Sequence, residues 1–394
     1  MNKAKRIPTA VYLLGAVSFF NDIASEMLYP VMPIFLTQIL GAPVFTVGII
    51  EGVVEGTSAL FKAYFGALSD QLQKRKPFVV AGYAASAVAK VVIALATTWP
   101  LVFFGRFIDR LGKGVRTGAR DALLLDAAET DNRGLIFGLH RTMDSAGAVV
   151  GPLLALWLLQ AFSNNIRLIL YIAAIPSFFS LLFFFFVREA KKHVEVMKGK
   201  PTLRFSLAGL SAQFKRFLLV TALFSLGNSA DSFLILRSKQ IGLALTAVVL
   251  AYVVYNLVYT LLSTPAGLLA DKLGAHYVFP LGLVIYILVY VGFAFNTHPQ
   301  LVWLLFAIYG AYIALTDGVA KALIGAWITP AEAGAAYGVT QTVTSIMALL
   351  ASVIGGALWS LFGAQATFLF GAGCALLALL LYLPFLRKQP IAQW

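Results

Sequence analysis

Apolar runs of about twenty residues follow one another almost without pause along this chain, and they leave it few ways to fold. In hydrocarbon every backbone N–H and C=O must find its partner inside the protein, so runs of this length become helices that cross a membrane. Spans are expected at roughly 10–38, 45–68, 77–96, 100–126, 134–161, 166–187, 215–240, 246–270, 277–295, 300–327, 334–360 and 365–386, twelve in all with six in each half. Only 12% of residues are charged and 60% are hydrophobic, against about 25% charged in an ordinary soluble domain. The bilayer is therefore the expected solvent. A short basic N-terminus (Lys3, Lys5, Arg6) runs straight into the first apolar segment. That segment is too long for a cleaved signal peptide, so it is expected to stay as the first span. A single cysteine, Cys374, excludes an internal disulfide and is expected to pack as a small apolar residue.

The two halves look like copies of one unit. Gly66-Ala-Leu-Ser-Asp70 recurs as Gly267-Leu-Leu-Ala-Asp271. Residues 133–145 align without a gap on 333–345, where Gly134, Gly138, Thr142 and Ser145 keep their identity as Gly334, Gly338, Thr342 and Ser345. In a membrane protein, repeated halves flank a central transport path. The implied fold is all-α and integral to the membrane, with twelve helices in two pseudo-symmetric six-helix halves. The division runs 1–187 for the first bundle, 188–214 for a central loop and 215–394 for the second bundle.

The net charge is +13, and its placement decides what it means. Basic residues outside the spans fall in alternate loops: Lys74, Arg75 and Lys76; then Arg188, Lys191, Lys192, Lys198, Lys200, Arg204, Lys215 and Arg216; then Arg387 and Lys388. The intervening loops, such as Leu40-Gly-Ala-Pro43 and Phe362-Gly-Ala-Gln365, carry none. The positive-inside rule puts both termini and the central loop in the cytoplasm. Charge used this way sets topology, and no nucleic-acid partner is expected. The central loop reads equally as a surface amphipathic helix or as a solvated basic linker.

A charge at the centre of a membrane helix costs several kcal/mol unless it is paired or faces water. Charges inside spans are therefore informative. The first span holds Asn21, Asp22 and Glu26; the second Glu51, Glu55 and Lys62; the fourth Arg106, Asp109, Arg110, Lys113, Arg116, Arg120 and Asp121. The fifth holds His140, Arg141 and Asp144, the seventh Asn228 and Asp231, and the tenth Asp317 and Lys321. The third has only Lys90, and the sixth, ninth and twelfth have none in their interiors. These four are expected to face lipid while the others surround a polar interior. At about 100° per residue, the seven charges of the fourth span share an arc of roughly 140°. Some must be structural pairs: Asp109 with Lys113, Asp317 with Lys321, and Arg141 with a carboxylate of a neighbouring span. His140 reads as a packing or pairing residue. No zinc-like cluster, nucleotide-binding glycine loop or nucleophile motif appears, so no enzyme, cofactor or metal is expected.

Taken together, these features resemble the major facilitator superfamily of secondary transporters. The likeness covers the whole chain, and Gly66 to Arg75 resembles the family's signature loop between its second and third helices. Gln71 and Gln73 stand where Arg and Gly are usual, and the second copy keeps Lys272 and Gly274. The resemblance implies a conformational latch at Gly66, Asp70, Lys74, Arg75 and Asp271. Gly147-Ala-Val-Val-Gly151-Pro152 resembles the core of the family's antiporter motif, although Ala155 and Leu156 replace its later Gly-Gly pair.

The expectation is then a proton-coupled exporter of small organic molecules, drug/proton antiporter-like, working as a monomer by alternating access in a bacterial inner membrane. Its partners are protons, lipid and a small substrate. Asp22, Glu26, Glu55 and Asp144, well inside their spans, are the proton-coupling candidates. Asn21, Glu51, Arg110, Lys113, Arg116 and Arg141 would line the substrate cavity from the first half. Asn228, Asp231, Tyr255, Asp317 and Lys321 would line it from the second. Tyr252, Tyr259, Tyr309 and Tyr312 read either as aromatic walls or as packing between helices. The alternative is a transporter of an organic anion held by the basic face of the fourth helix, since Arg suits carboxylate and phosphate.

Overall fold

Helix is the regular structure throughout the described residues, as apolar surroundings demand. The computed structural model describes residues 7–72, 74–127, 133–187, 211–328 and 333–386. Long helical segments are α1 (Thr9–Ile39), α2 (Val44–Leu72), α3 (Arg75–Leu95), α4 (Trp99–Ala127), α5 (Arg133–Ala161) and α6 (Ile166–Phe185). They continue as α7 (Ala212–Gln240), α8 (Leu245–Leu273), α9 (Ala275–Phe295), α10 (Pro299–Ala326), α11 (Ala333–Phe362) and α12 (Ala364–Leu386). Ten of these are long and apolar enough to cross a membrane; α2 and α4 are the other two. The central loop lies outside the described residues as far as residue 210.

The chain forms two compact units, Met1–Gly41 with Thr57–Thr202, and Ala42–Gly56 with Leu203–Trp394. The start of α2 thus packs with the second unit, through Gly48 and Gly52 against the backbone of α11. Within the first unit α1 lies on α5 and α6, and α3 lies on α4 and α6. Within the second, α7 lies on α11 and α12, and α9 lies on α10 and α12. The same neighbours recur six helices later, which is the spatial form of the sequence repeat. Small residues set the closest approaches. A Cβ on Gly82 of α3 would fall 2.5 Å from the carbonyl oxygen of Gly112 of α4, and the reverse holds. Backbones meet there because neither residue has a side chain.

α6, α9 and α12 behave as their uncharged interiors suggest. They expose large apolar side chains such as Ile175, Leu288 and Leu377. α3 departs from that expectation. Its Lys90 is 1% exposed and turns into the bundle toward Asp109 of α4, at 3.4 Å.

Two spans expected to be continuous are broken. α1 stops at Leu28 and resumes at Met32, ending in a π-helical turn over Phe35–Ile39. Pro30 and Pro33 explain this, because neither can donate to the carbonyl four residues back. α7 stops at Gly227 and resumes at Ser232 with no proline to force it. Its freed backbone groups are satisfied by neighbours. Tyr286 donates its hydroxyl to the Gly227 carbonyl at 2.9 Å, and Tyr290 donates to the Ser229 carbonyl at 3.5 Å. The Ala230 N–H donates to Ser352 Oγ at 3.2 Å. Tyr286→Phe should therefore cost about 1–3 kcal/mol, the penalty of a buried carbonyl left alone. A lowered midpoint of thermal unfolding in detergent checks this.

Arginines close two equivalent helix ends by different routes. Arg167 of α6 donates to the carbonyls of Ala94 and Ala96 at the end of α3, at 3.4 and 3.0 Å. Arg237 of α7 donates to Phe293, Ala294 and Asn296 at the end of α9, at 3.0, 3.3 and 3.1 Å. Each supplies positive charge and donors where a helix presents unpaired carbonyls.

Candidate functional site

Many of the polar residues singled out from the sequence gather in two clusters, one in each unit. In the first unit, glycines decide the geometry. A Cβ on Gly147 would lie 2.5 Å from the Phe19 carbonyl oxygen and 3.1 Å from the Cβ of Asp22. One on Gly151 would lie 2.7 Å from the Ile23 carbonyl oxygen and 2.9 Å from the Cβ of Glu26. The bare face of α5 therefore draws α1 into backbone contact and lays Asp22 and Glu26 against it. Pro152 is buried beside this contact. Asp144 precedes Gly147 by about one helical turn and meets Asp22, with Lys113 and Glu26 as further charged neighbours. Gly151→Val should destabilise by about 1–3 kcal/mol, since the added carbons meet backbone that cannot yield. Gly138→Ala, on the same helix with nothing within 4 Å of the new carbon, should cost nothing. Folded yield and thermal midpoint compare the two.

Asp144 also lies near two arginines, Arg141 at 3.6 Å and Arg120 at 3.9 Å. Arg120 reaches Asp121 at 3.1 Å and donates to Ser18 Oγ at 3.2 Å. Ser18 is in turn bonded to Tyr83 Oη at 2.9 Å and to His140 Nε2 at 3.0 Å. His140 is thus one member of a buried network that ends on the Asp144 carboxylate. Asn21 is buried close by, taking a 3.5 Å bond from Ser177 while its amide nitrogen has no partner among the described residues.

The pairings partly follow expectation. Asp317 and Lys321 pair at 2.9 Å. Arg141 takes Asp144 of its own helix instead of a neighbour's carboxylate. Asp109 takes Lys90 across α3, and Arg106, Arg110 and Arg116 are also close enough to act on it. Arg116, expected in the cavity, is buried against α3. It bonds Ser86 Oγ and lies over the Tyr83 ring, 4.4 Å from the centroid. The Gly82–Gly112 contact brings α3 within its reach.

The second cluster surrounds a cavity of about 550 Å³ between α7, α9, α10 and α11. Asp231 sits at the break of α7, where helix resumes. Its carboxylate accepts from Tyr309 Oη at 2.6 Å on one oxygen and from Tyr255 Oη at 3.1 Å on the other. Asn228, Tyr312, Asp317 and Lys321 line the same cavity, with Thr340, Gln341 and Thr344 of α11. Tyr259 bonds Asp317 at 3.4 Å. Glu51 is buried and within electrostatic reach of Asp231. Glu55, one turn along α2, is exposed and belongs to this unit, not to the one that holds Asp22, Glu26 and Asp144.

Of the latch candidates, Gly66 lies within α2, while the side chain of Asp70 lies outside the described residues. Lys74 is exposed just before α3. Arg75 pairs with Asp126 of α4 and donates to the Ala122 carbonyl at 3.0 Å. Asp271 is exposed near the end of α8. Sequence reasoning passed over Lys90, Ser18, Tyr286 and Tyr290. The one available signal was Lys90, the lone charge of its span.

Known proteins match this chain, some over nearly all of its length. A sequence model of the Major Facilitator Superfamily matches residues 14–236 and again 205–393. The chain is 34% identical over 380 residues to the uncharacterized MFS-type transporter MJ1317 of Methanocaldococcus jannaschii, covering 95% of this chain and 94% of that one. It is 30% identical over 148 residues to the multidrug resistance protein MdtH of Photorhabdus laumondii, 38% of this chain and 35% of that one. Among solved structures, the nucleoside transporter NupG superposes with a TM-score of 0.77 at 15% identity, over 97% of this chain and 100% of that chain. The human organic anion transporter MFSD10 does so with a TM-score of 0.67 at 17% identity, over 97% and 100%. These two share the fold.

Proposed function

The chain belongs to the major facilitator superfamily and is an integral multi-pass membrane transporter, not an enzyme; from that premise we propose that it is a proton-coupled exporter of small organic molecules. α2 and α4 cross the bilayer with the other ten helices, and the two six-helix bundles alternate access to a central path. Both termini are cytoplasmic, the membrane is the bacterial inner one, and the working unit is a monomer. Gly66, Asp70, Lys74, Arg75 and Asp271 form the latch between conformations.

The observation that carries this reading is the meeting of Asp22 and Asp144 across the α1–α5 contact, beside Lys113, Arg120 and Arg141. Two facing carboxylates hold one proton between them more readily than two charges. Neighbouring cations compete with that proton. A site of this kind exchanges a proton for a cation or a rearranged ion pair, which is what coupling requires. The partial likeness to a multidrug resistance protein supports the outward direction.

Less supports the organic-anion alternative. Two members of the basic face of α4 have partners within the bundle: Arg116 holds Ser86 and stacks on Tyr83, while Arg120 holds Asp121 and Ser18. Purified protein in liposomes under an imposed pH gradient, offered cationic, neutral and anionic compounds, tests the proposal. Transport that ignores the gradient for every compound carried would overturn it. Arg110→Gln separates the alternative, because loss of anion binding with proton uptake intact would favour it.

A further inference from the structure

We propose that the cavity of the second unit binds a protonated amine, an organic ammonium whose N–H groups are taken by Asp231 and Asn228. The proposal rests on the reading of the chain as a transporter of small organic molecules and names the class of molecule.

The chemistry of the cavity is one-sided. A carboxylate offers about four acceptor positions, and Tyr309 and Tyr255 fill one on each oxygen of Asp231. The carboxylate therefore keeps acceptor capacity on both oxygens. Asn228, whose side chain is hydrogen-bonded to Tyr312, presents a buried Oδ1 that has no hydrogen-bond partner among the described residues. Both residues line the same cavity, at the place where α7 is unwound. Two acceptors lining one cavity call for a donor, and a buried acceptor left unmet is costly. The net charge of the surroundings says what kind. Asp231 and Asp317 are the carboxylates among the lining residues, and Lys321, the cation among them, is held by Asp317 at 2.9 Å. A ligand that brings positive charge balances this excess; an anion would add to it.

The walls fit an organic cation over a bare ion. Phe224, Phe279, Tyr309 and Tyr312 line the cavity, and aromatic faces attract ammonium groups. A volume of about 550 Å³ suits a molecule of drug-like size, and a single inorganic ion would leave most of it empty. Across the cavity, Thr340 and Thr344 turn their hydroxyls back to carbonyls of their own helix. Gln341 donates to Ser345 at 3.2 Å, which leaves its carbonyl as a further acceptor for the body of the ligand.

The test is an equilibrium titration of full-length protein in lipid nanodiscs at neutral pH with no gradient, read by calorimetry. The probes are naphthylethylamine, which is protonated there, its neutral N-acetyl derivative, and naphthylacetate. The ammonium should bind at least about tenfold more tightly than the amide, and the carboxylate should not bind. Asp231→Asn should erase the preference, and Asn228→Ala should weaken the ammonium several-fold at unchanged thermal midpoint. Equal binding of amine and amide, or a preference that survives Asp231→Asn, overturns the proposal. Should Asp231→Asn fail to fold, the amine-to-amide ratio of the unaltered protein and Asn228→Ala still decide. Without a gradient the titration is blind to coupling, so failure of the proton-coupled reading would appear in the liposome assay and not here.

Discussion

Transport driven by a pH gradient is expected to fall to background in Asp22→Asn and, separately, in Asp144→Asn, while exchange of substrate for substrate across the same membrane continues. An amide cannot take up or release a proton, so under the proposed mechanism either replacement removes the shared site and leaves the carrier uncoupled. Exchange needs only the substrate cavity and the conformational change, which these variants keep. Glu26→Gln should give a smaller loss, because Glu26 borders the pair from the Asp22 side and is not one of the two facing carboxylates. Glu55→Gln should keep gradient-driven transport, since its side chain is exposed and lies in the other unit. Full gradient-driven transport in both aspartate variants would move the coupling site elsewhere.

The second large effect concerns stability. Asp109→Asn should destabilise by about 3–5 kcal/mol, because it leaves a buried lysine without its countercharge. Lys90 is 1% exposed and 3.4 Å from Asp109, and Arg116, which lies close enough to act on both, would then repel it. Lys90→Met alone should cost less, since Arg106, Arg110 and Arg116 still balance the carboxylate. The double variant Lys90→Met with Asp109→Asn should recover part of the loss. Folded yield after extraction and the thermal midpoint give the order of the three. A single variant as stable as the unaltered protein would show that water reaches the pair.

How much of this could be read from the residues depends on the distance over which each feature is decided. Helix positions are local, set by runs of apolar residues, and the observed segments begin and end within a few residues of those expected. The exposed apolar surface of α6, α9 and α12 is local for the same reason. Lys90 was misjudged because a lone charge in an apolar span has no nearby partner in sequence. Its partner comes from the next helix, through a glycine contact that no single helix displays. The breaks contrast in the same way. That of α1 had Pro30 and Pro33 to announce it. That of α7 depends on Tyr286, Tyr290 and Ser352, each on another helix. Glu51 and Glu55 share a stripe of α2, yet one is buried and one exposed. Helical spacing fixes which side a residue is on and says nothing of what covers that side. Of the coupling candidates, Asp22, Glu26 and Asp144 gather and Glu55 does not. The antiporter-like glycines were legible as a motif, but their physical task, holding α1 on α5, needed the structure.

The unwound middle of α7 has a consequence for biogenesis. The ribosome delivers α7 to the membrane before α9, yet α9 supplies the tyrosines that satisfy the Gly227 and Ser229 carbonyls. Until then those groups have no such donors, and in hydrocarbon each bare group costs several kcal/mol. The nascent segment is therefore expected to enter as an unbroken helix, or to wait at the interface, and to unwind once α9 has arrived. Asp231 would thus reach its tyrosines late, and the second cavity would be among the last features to form as the chain matures.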